Sequence, residues 1–333
     1  MDIRDREKLS RLEKTFELNF KLTRLYANYL EYYNRVINAE MIEALCGDGE
    51  IEITDGIVAI LCQMFGLDID GSTDERVLIR EYLTPSVRIM DADRYRNNPY
   101  YRNIKIPEIK SGRWELKRET YPAYRGVIAN DMILGPAFRE IPPLGFFKEE
   151  FEFPAVLEDG NEWMTLTPVD LDTSDEAIDR AHGRVVTFGL GLGYYAYMVS
   201  EKESVESITV VEKSPDVIAL FKEYILPQFS HPEKVRIVNA DAFEYAERTM
   251  PSEHFDVAFV DTWRDASDGA PMYERMKALE HLSPDTEFLY WIENFLISRL
   301  RALRYAEIMD ALDAGEDMTY AEIEKRLNDP LSK

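Results

Sequence analysis

The stretch Val185-Val186-Thr187-Phe188-Gly189-Leu190-Gly191-Leu192-Gly193 narrows the possible folds more than any other part of the chain. Its β-branched and aromatic start reads as a buried parallel strand. Three glycines at alternate positions then read as a tight turn where backbone can approach a ligand without a Cβ in the way. A second apolar run, Ile208-Thr209-Val210-Val211-Glu212, reads as the neighbouring strand with a carboxylate at its tip. Together they describe a nucleotide-type cofactor site at the carboxyl edge of a doubly wound sheet.

The pattern continues from about residue 184. Strands are expected at Val185–Phe188, Ile208–Val211, Val235–Val238, Val257–Val260 and Phe288–Ile292. Helices are expected through Met198-Val199, over Pro215–Leu226, Ala242–Arg248 and Pro271–Leu282, and near Asn294–Leu312. Alternating strands and helices require a mostly parallel sheet covered on both faces, an α/β fold. A last charged helix is expected at about Tyr320–Leu327.

Upstream, residues 5–46 read as helical. Leu18, Leu22, Leu25, Tyr29, Tyr32 and Val36 recur at spacings of four and three and form one apolar stripe, with Gly47 as the stop. The stripe is most simply core; an interface between two copies of the chain is the alternative. Thr54-Asp55 is expected to cap a helix through Phe65, and Thr73-Asp74-Glu75 one through Leu83. Residues 86–125 carry ten Lys/Arg against five acids, interleaved with Tyr95, Tyr100, Tyr101, Trp114, Tyr121 and Tyr124. A platform for an anionic or aromatic substrate is one reading. Internal pairing with the acidic body is preferred, because aromatics are also ordinary core material. Pro142-Pro143, Gly145, Pro154 and Asp159-Gly160 punctuate a segment of short strands and turns. Three regions are therefore expected: a helical one over 1–110, a β-rich connecting segment over 111–168, and a cofactor-binding one over 169–333. The N-terminal region is expected to pack on the sheet.

Composition bounds the function. The chain has 333 residues, 45% hydrophobic and 31% charged, enough for two domains with a sizeable core. Its opening, Met1-Asp2-Ile3-Arg4-Asp5-Arg6, is too charged for a signal peptide, and no apolar run is long enough to span a bilayer. A cytoplasmic location without membrane contact is expected. Cys46 and Cys62 form no Cys-x-x-Cys pair, and His182, His231, His254 and His281 are scattered, so no metal site is expected. A net charge of −24 repels phosphate backbones and favours cationic ligands, which argues against nucleic acid as a partner.

Each strand tip offers a group suited to a cofactor. Glu212 can accept from two ribose hydroxyls. Asp241, opening Asp241-Ala242-Phe243, can accept from an adenine amino group, and Asp261 ends Phe259-Val260-Asp261 beside the reactive end. At these residues the chain resembles the class I S-adenosylmethionine-dependent methyltransferases, over about residues 160–295. The resemblance implies S-adenosylmethionine as cofactor, held by Gly189, Leu190, Gly191, Gly193, Glu212, Lys213, Asp241, Ala242, Phe243 and Asp261. A nicotinamide dinucleotide fits less well, since Tyr194 stands where that family's third glycine would fall.

Methyl transfer needs alignment and exclusion of water more than acid–base chemistry. Asp261, Asp265 and Glu293 are the candidate bases, and Trp263 is a candidate pocket wall. Asp265 and Asp268 read equally well as a solvated loop capping the next helix. Glu162-Trp163-Met164-Thr165-Leu166-Thr167-Pro168 precedes the first strand, where related folds cover the cofactor's amino-acid end; Thr165 and Thr167 can donate to its carboxylate. A small molecule is the default acceptor. The chain also resembles the spermidine-synthase-like aminopropyltransferases, which use decarboxylated S-adenosylmethionine. Leu192 replaces the aspartate of their glycine turn, and Arg264 interrupts their acidic loop. A non-catalytic cofactor-binding or scaffolding protein is the third reading. Methyltransferases usually end in an antiparallel hairpin; here helical spacing follows Ile292, so either the edge is short or strands from 112–166 complete it.

Overall fold

The computed structural model of the protein describes residues 3–331. They group into two units, each assembled from separated stretches of chain. One holds the chain up to Asp91, Tyr121–Phe151 and the chain from Asn294 onward; the other holds Ala92–Thr120 and Glu152–Glu293.

The second unit is built on a parallel sheet of five strands: β1 (Gly183–Phe188), β2 (Val205–Glu212), β3 (Val235–Asn239), β4 (Val257–Val260) and β5 (Glu287–Tyr290). Their order is β3-β2-β1-β4-β5. Strand β1 is central, and its Val185, Val186 and Phe188 are buried, as a strand covered on both faces requires. The order reverses beside β1, so the crevice for a ligand lies past the ends of β1 and β4.

Register decides what that crevice contains. Phe188 pairs with Val211 and with Val260, and Val260 pairs with Tyr290. Gly189, Glu212, Asp261 and Trp291 therefore come next in one row. The last ladder bonds confirm the alignment: Gly189 donates to Val211, Asp261 to Phe188 and Trp291 to Val260.

Helix boundaries moved where a cap outweighed periodicity. The helix expected from Pro271 starts at Ala266 and runs to Lys277, because Asp265 and Asp268 form a capping box. After β5 the chain enters the helix Glu293–Asp313 rather than another strand. Strands Ile109–Ser111, Trp114–Tyr121, Phe151–Glu158 and Asn161–Thr165 form their own four-stranded sheet. Among the described residues the parallel sheet thus stops at β5; the short-edge expectation holds, and residues 112–166 do not complete it. Asp159-Gly160 makes the hairpin turn, with φ 51° and 81°, as two-residue turns demand.

The basic segment pairs internally. Arg94 meets Asp172 at 2.8 Å and Asp175 at 3.2 Å, and Arg113 meets Glu158 at 3.1 Å. Tyr95 donates to Asp172, Tyr100 to the Leu192 carbonyl and Trp114 to Asp216.

The first unit is mainly helical. Its helix Ile3–Asn28 runs into a wider π-helical turn at Tyr29–Tyr33. Leu18, Leu22 and Tyr29 of the expected stripe are buried, but Tyr32 and Val36 are 67% and 42% exposed. The wider turn rotates them off the apolar face, and Tyr26 takes a core position instead. Gly47 does follow the helix Ala39–Cys46. The helix Ile53–Phe65 starts after Glu52, with Thr54 and Asp55 inside its first turn rather than capping it. Ser72, not Thr73, caps the next helix through a box with Glu75. Asp131 caps Glu293–Asp313 from a distant loop, accepting from the Asn294 and Phe295 N–H groups at 2.9 Å each. A buried Glu140–Arg301 pair at 3.3 Å lies nearby, and Ser298 donates to the same carboxylate. No described helix is long and apolar enough to cross a membrane.

Candidate functional site

Within the second unit a cleft of about 600 Å³ opens past the carboxyl ends of β1, β2, β3 and β4. The size suits a nucleoside-bearing ligand. Gly189, Leu190, Gly191, Glu212, Lys213, Asp241, Ala242, Phe243 and Asp261 all line it, as do Trp263 and Thr165.

The glycine turn is shaped by contacts that leave no room for a side chain. Gly189 has φ 100°, and a Cβ there would strike the Asp261 carbonyl oxygen. Gly191 has φ 51°, and a Cβ would strike the Met164 thioether. Gly193 lies outside the lining. It starts the helix Tyr194–Ser200 at φ 74°, where a Cβ would strike Phe221.

Glu212 is buried and accepts from the Leu190 N–H at 3.1 Å and the Ser214 N–H at 2.7 Å. One of its oxygens thus steadies the glycine turn. Asp241 caps the helix Ala242–Arg248 through the Phe243 and Glu244 N–H groups, and Lys213 lies 3.4 Å from its other oxygen. Burial raises its carboxyl, but the Glu244 N–H, Lys213 and the Phe243 N–H outweigh that and hold it below its ordinary value. Asp241 is cap and cleft wall at once.

Asp261 is different. It sits at the floor, and among the described residues no hydrogen bond reaches its carboxylate. Burial, then the negative charges of Asp170 and Glu212, push it up to about 8. Asp170 is pushed up to about 6 by burial, against hydrogen bonds from the Thr167 N–H and hydroxyl. Two carboxyls that titrate near neutrality therefore share one cleft.

Besides Gly193, three of the candidates lie elsewhere. Asp265 caps its helix, and the Ser267 hydroxyl and N–H hold it below its ordinary value. Glu293 accepts from the Tyr273 hydroxyl at 2.6 Å and forms an ion pair with Lys277 at 3.4 Å, outside the lining. Thr167 is buried, and its hydroxyl donates to Asp170. Asp170 and Trp291 line the cleft without having been singled out, and Trp163 and Met164 line it from the segment expected to cover a cofactor. Trp291 follows from taking one residue past each strand. Asp170 carried only a capping signal, Thr-Pro-x-Asp, with nothing to mark it as a floor. Among the described residues no group of three or more His, Cys, Asp or Glu is placed to hold a metal ion.

The strand order and the tip row together decide the architecture. The fold is Rossmann-like, a parallel α/β sheet with its cleft at the strand tips. No protein-family model and no curated protein matches the chain. Among solved structures it is similar to a spermidine synthase from Thermotoga maritima, at 15% identity and TM-score 0.34, over 47% of this chain and 60% of that one. It is also similar to a precorrin 8W decarboxylase from Methanobacterium thermoautotrophicum, at 15% identity and TM-score 0.29, over 46% and 74%. A Klebsiella pneumoniae protein described as an O-methyltransferase matches at 19% identity and TM-score 0.23, over 28% and 41%. The match thus spans about 60% of the length of the spermidine synthase.

Proposed function

We propose that the protein is an S-adenosylmethionine-dependent methyltransferase acting on a small acceptor. The observation that carries this reading is the convergence of the Gly189–Gly191 turn, Glu212, Asp241–Phe243 and Asp261 on one cleft. Unrelated tight turns and helix caps have no reason to share a wall.

The residues fit the cofactor. The glycine turn offers close backbone approach, and Glu212 has the position for ribose hydroxyls. Asp241, Ala242 and Phe243 would flank the base. When bound, the cofactor supplies an electrophilic methyl on a sulfonium. The chain's part is to orient and to exclude water: Trp163, Trp263 and Trp291 wall the cleft. Asp261 is the group best placed to hold a proton, since a carboxyl near 8 exchanges protons at neutral pH.

The acid-rich cleft favours a second reading, aminopropyl transfer from decarboxylated S-adenosylmethionine, which lacks the carboxylate such walls would repel. Isothermal calorimetry against S-adenosylmethionine, S-adenosylhomocysteine, the decarboxylated compound and NAD separates the readings. Micromolar binding of the first two, about −8 kcal/mol, is expected. Preference for the decarboxylated compound would move the assignment to aminopropyl transfer. Binding of none would leave a scaffold.

A further inference from the structure

The helix Ile53–Phe65 of the first unit has no polar face through its middle. Ile57-Val58-Ala59-Ile60-Leu61-Cys62 is six apolar residues in a row. A run longer than one turn makes a helix apolar all round, which is the pattern of a helix covered on every side. The first unit covers only part of it. Ile57, Ile60 and Leu61 are buried in its core. Val58, Ala59, Gln63 and Gly66 line an open groove of about 680 Å³, as does the buried Cys62. Ile79, Arg80 and Thr84 of the following helical stretch also line it.

The shape of the groove suits a helix. Its lining positions 55, 58, 59, 62, 63 and 66 recur at spacings of three and four. They follow one face of the helix from its first turn to the residue past its end, a run of about 16 Å at 1.5 Å per residue. Gly66 has open space where a Cβ would stand, and Ala59 is small, so a partner's backbone can come close. Ile69, 63% exposed, extends the apolar surface at one end.

Charge decides which helix. Asp55 lies in the first turn and Asp68 just beyond the last, so a carboxylate stands at each end, against one guanidinium, Arg80. The chain as a whole carries −24. The local and the overall field both favour a basic partner and oppose a second copy of this chain.

We infer that this groove docks an amphipathic helix of another protein, whose apolar stripe covers Val58, Ala59 and Cys62 and whose Lys or Arg residues at either end meet Asp55 and Asp68. Recognition of this kind reads apolar anchors at i, i+3, i+4 and i+7. The inference is independent of the proposed cofactor site.

A synthetic probe tests it on the full-length protein by fluorescence anisotropy. The probe is a fluorescein-labelled, helix-forming peptide of about 16 residues, with leucines along one face, lysines at both ends, and alanine and glutamine elsewhere. One control replaces its lysines by glutamates. The other keeps its composition but scatters the leucines around the helix. The probe is expected to bind at least about tenfold more tightly than either control. Ala59 and Gln63 are exposed, so Ala59→Lys and Gln63→Lys each put an ammonium under the peptide's apolar face and leave the core intact. Each is expected to weaken binding at least about tenfold. Asp55→Asn combined with Asp68→Asn is expected to weaken it about fivefold. Equal binding of either control, or a probe affinity unchanged in both lysine variants, overturns the inference. So does a dimer of the parent chain that Ala59→Lys dissociates in sedimentation velocity, since a second copy would then be the cover. Unchanged far-UV dichroism in the variants assigns the loss to the groove rather than to unfolding.

Discussion

At the scale of single residues, Gly189 shows how little freedom the site has. Its φ of 100° and its contact with the Asp261 carbonyl make it the hinge between cofactor turn and cleft floor. Gly189→Ala forces both a left-handed alanine and a backbone collision. It is expected to cost about 2 kcal/mol or more in urea unfolding and to abolish S-adenosylhomocysteine binding. Retained affinity in a folded Gly189→Ala protein would remove the turn from the site. Asp261 gives a pH prediction. Its folded value, about 8, lies above the ordinary 3.8, so the folded state holds a proton the unfolded chain has released. Stability from this group is complete below about 3.8 and is lost as pH rises towards 8. Asp261→Asn deletes that loss. The variant is expected to gain about 1–3 kcal/mol over the parent between acid and mildly alkaline pH, read as diverging Tm values. Parallel Tm profiles would mean that Asp261 is ionised throughout.

At the scale of elements, caps and register set what periodicity alone could not. The helix Glu293–Asp313 opens on N–H groups satisfied by Asp131, more than 160 positions away in the chain. Asp131→Ala leaves two N–H groups without that carboxylate at the positive end of a long helix. A loss of about 1–2 kcal/mol is expected in denaturant unfolding. Asp131→Asn should recover part of it. The strands were legible because buried parallel strands are short apolar runs: Val257–Val260 and the helix Ala242–Arg248 fall where the sequence places them. The stripe through Tyr32 and Val36 was not, since one π-helical turn at Tyr29–Tyr33 shifts the phase of everything after it. Nothing in residue type marks such a turn. Asp265 illustrates a tie that geometry broke: both readings were open, and the Ser267 and Asp268 N–H groups claim it as a cap.

At the scale of the whole molecule, charge dominates. A net −24 on 333 residues opposes folding by self-repulsion. Raising salt from low ionic strength to roughly 0.5 M should therefore raise Tm by several degrees, with the same trend in sodium and potassium chloride. A flat salt response would mean that the internal pairs, such as Arg94 with Asp172 and Asp175, already offset the field. The sequence by itself determined the α/β class, the five parallel strands and about half of the cleft's lining, because strand tips follow directly from where apolar runs end. Only the tertiary structure decided that Asp170 and Trp291 join that lining while Glu293, Asp265 and Thr167 do not. Those outcomes depend on strand register and on which donor reaches a carboxylate first, and both are fixed by residues far apart in the chain.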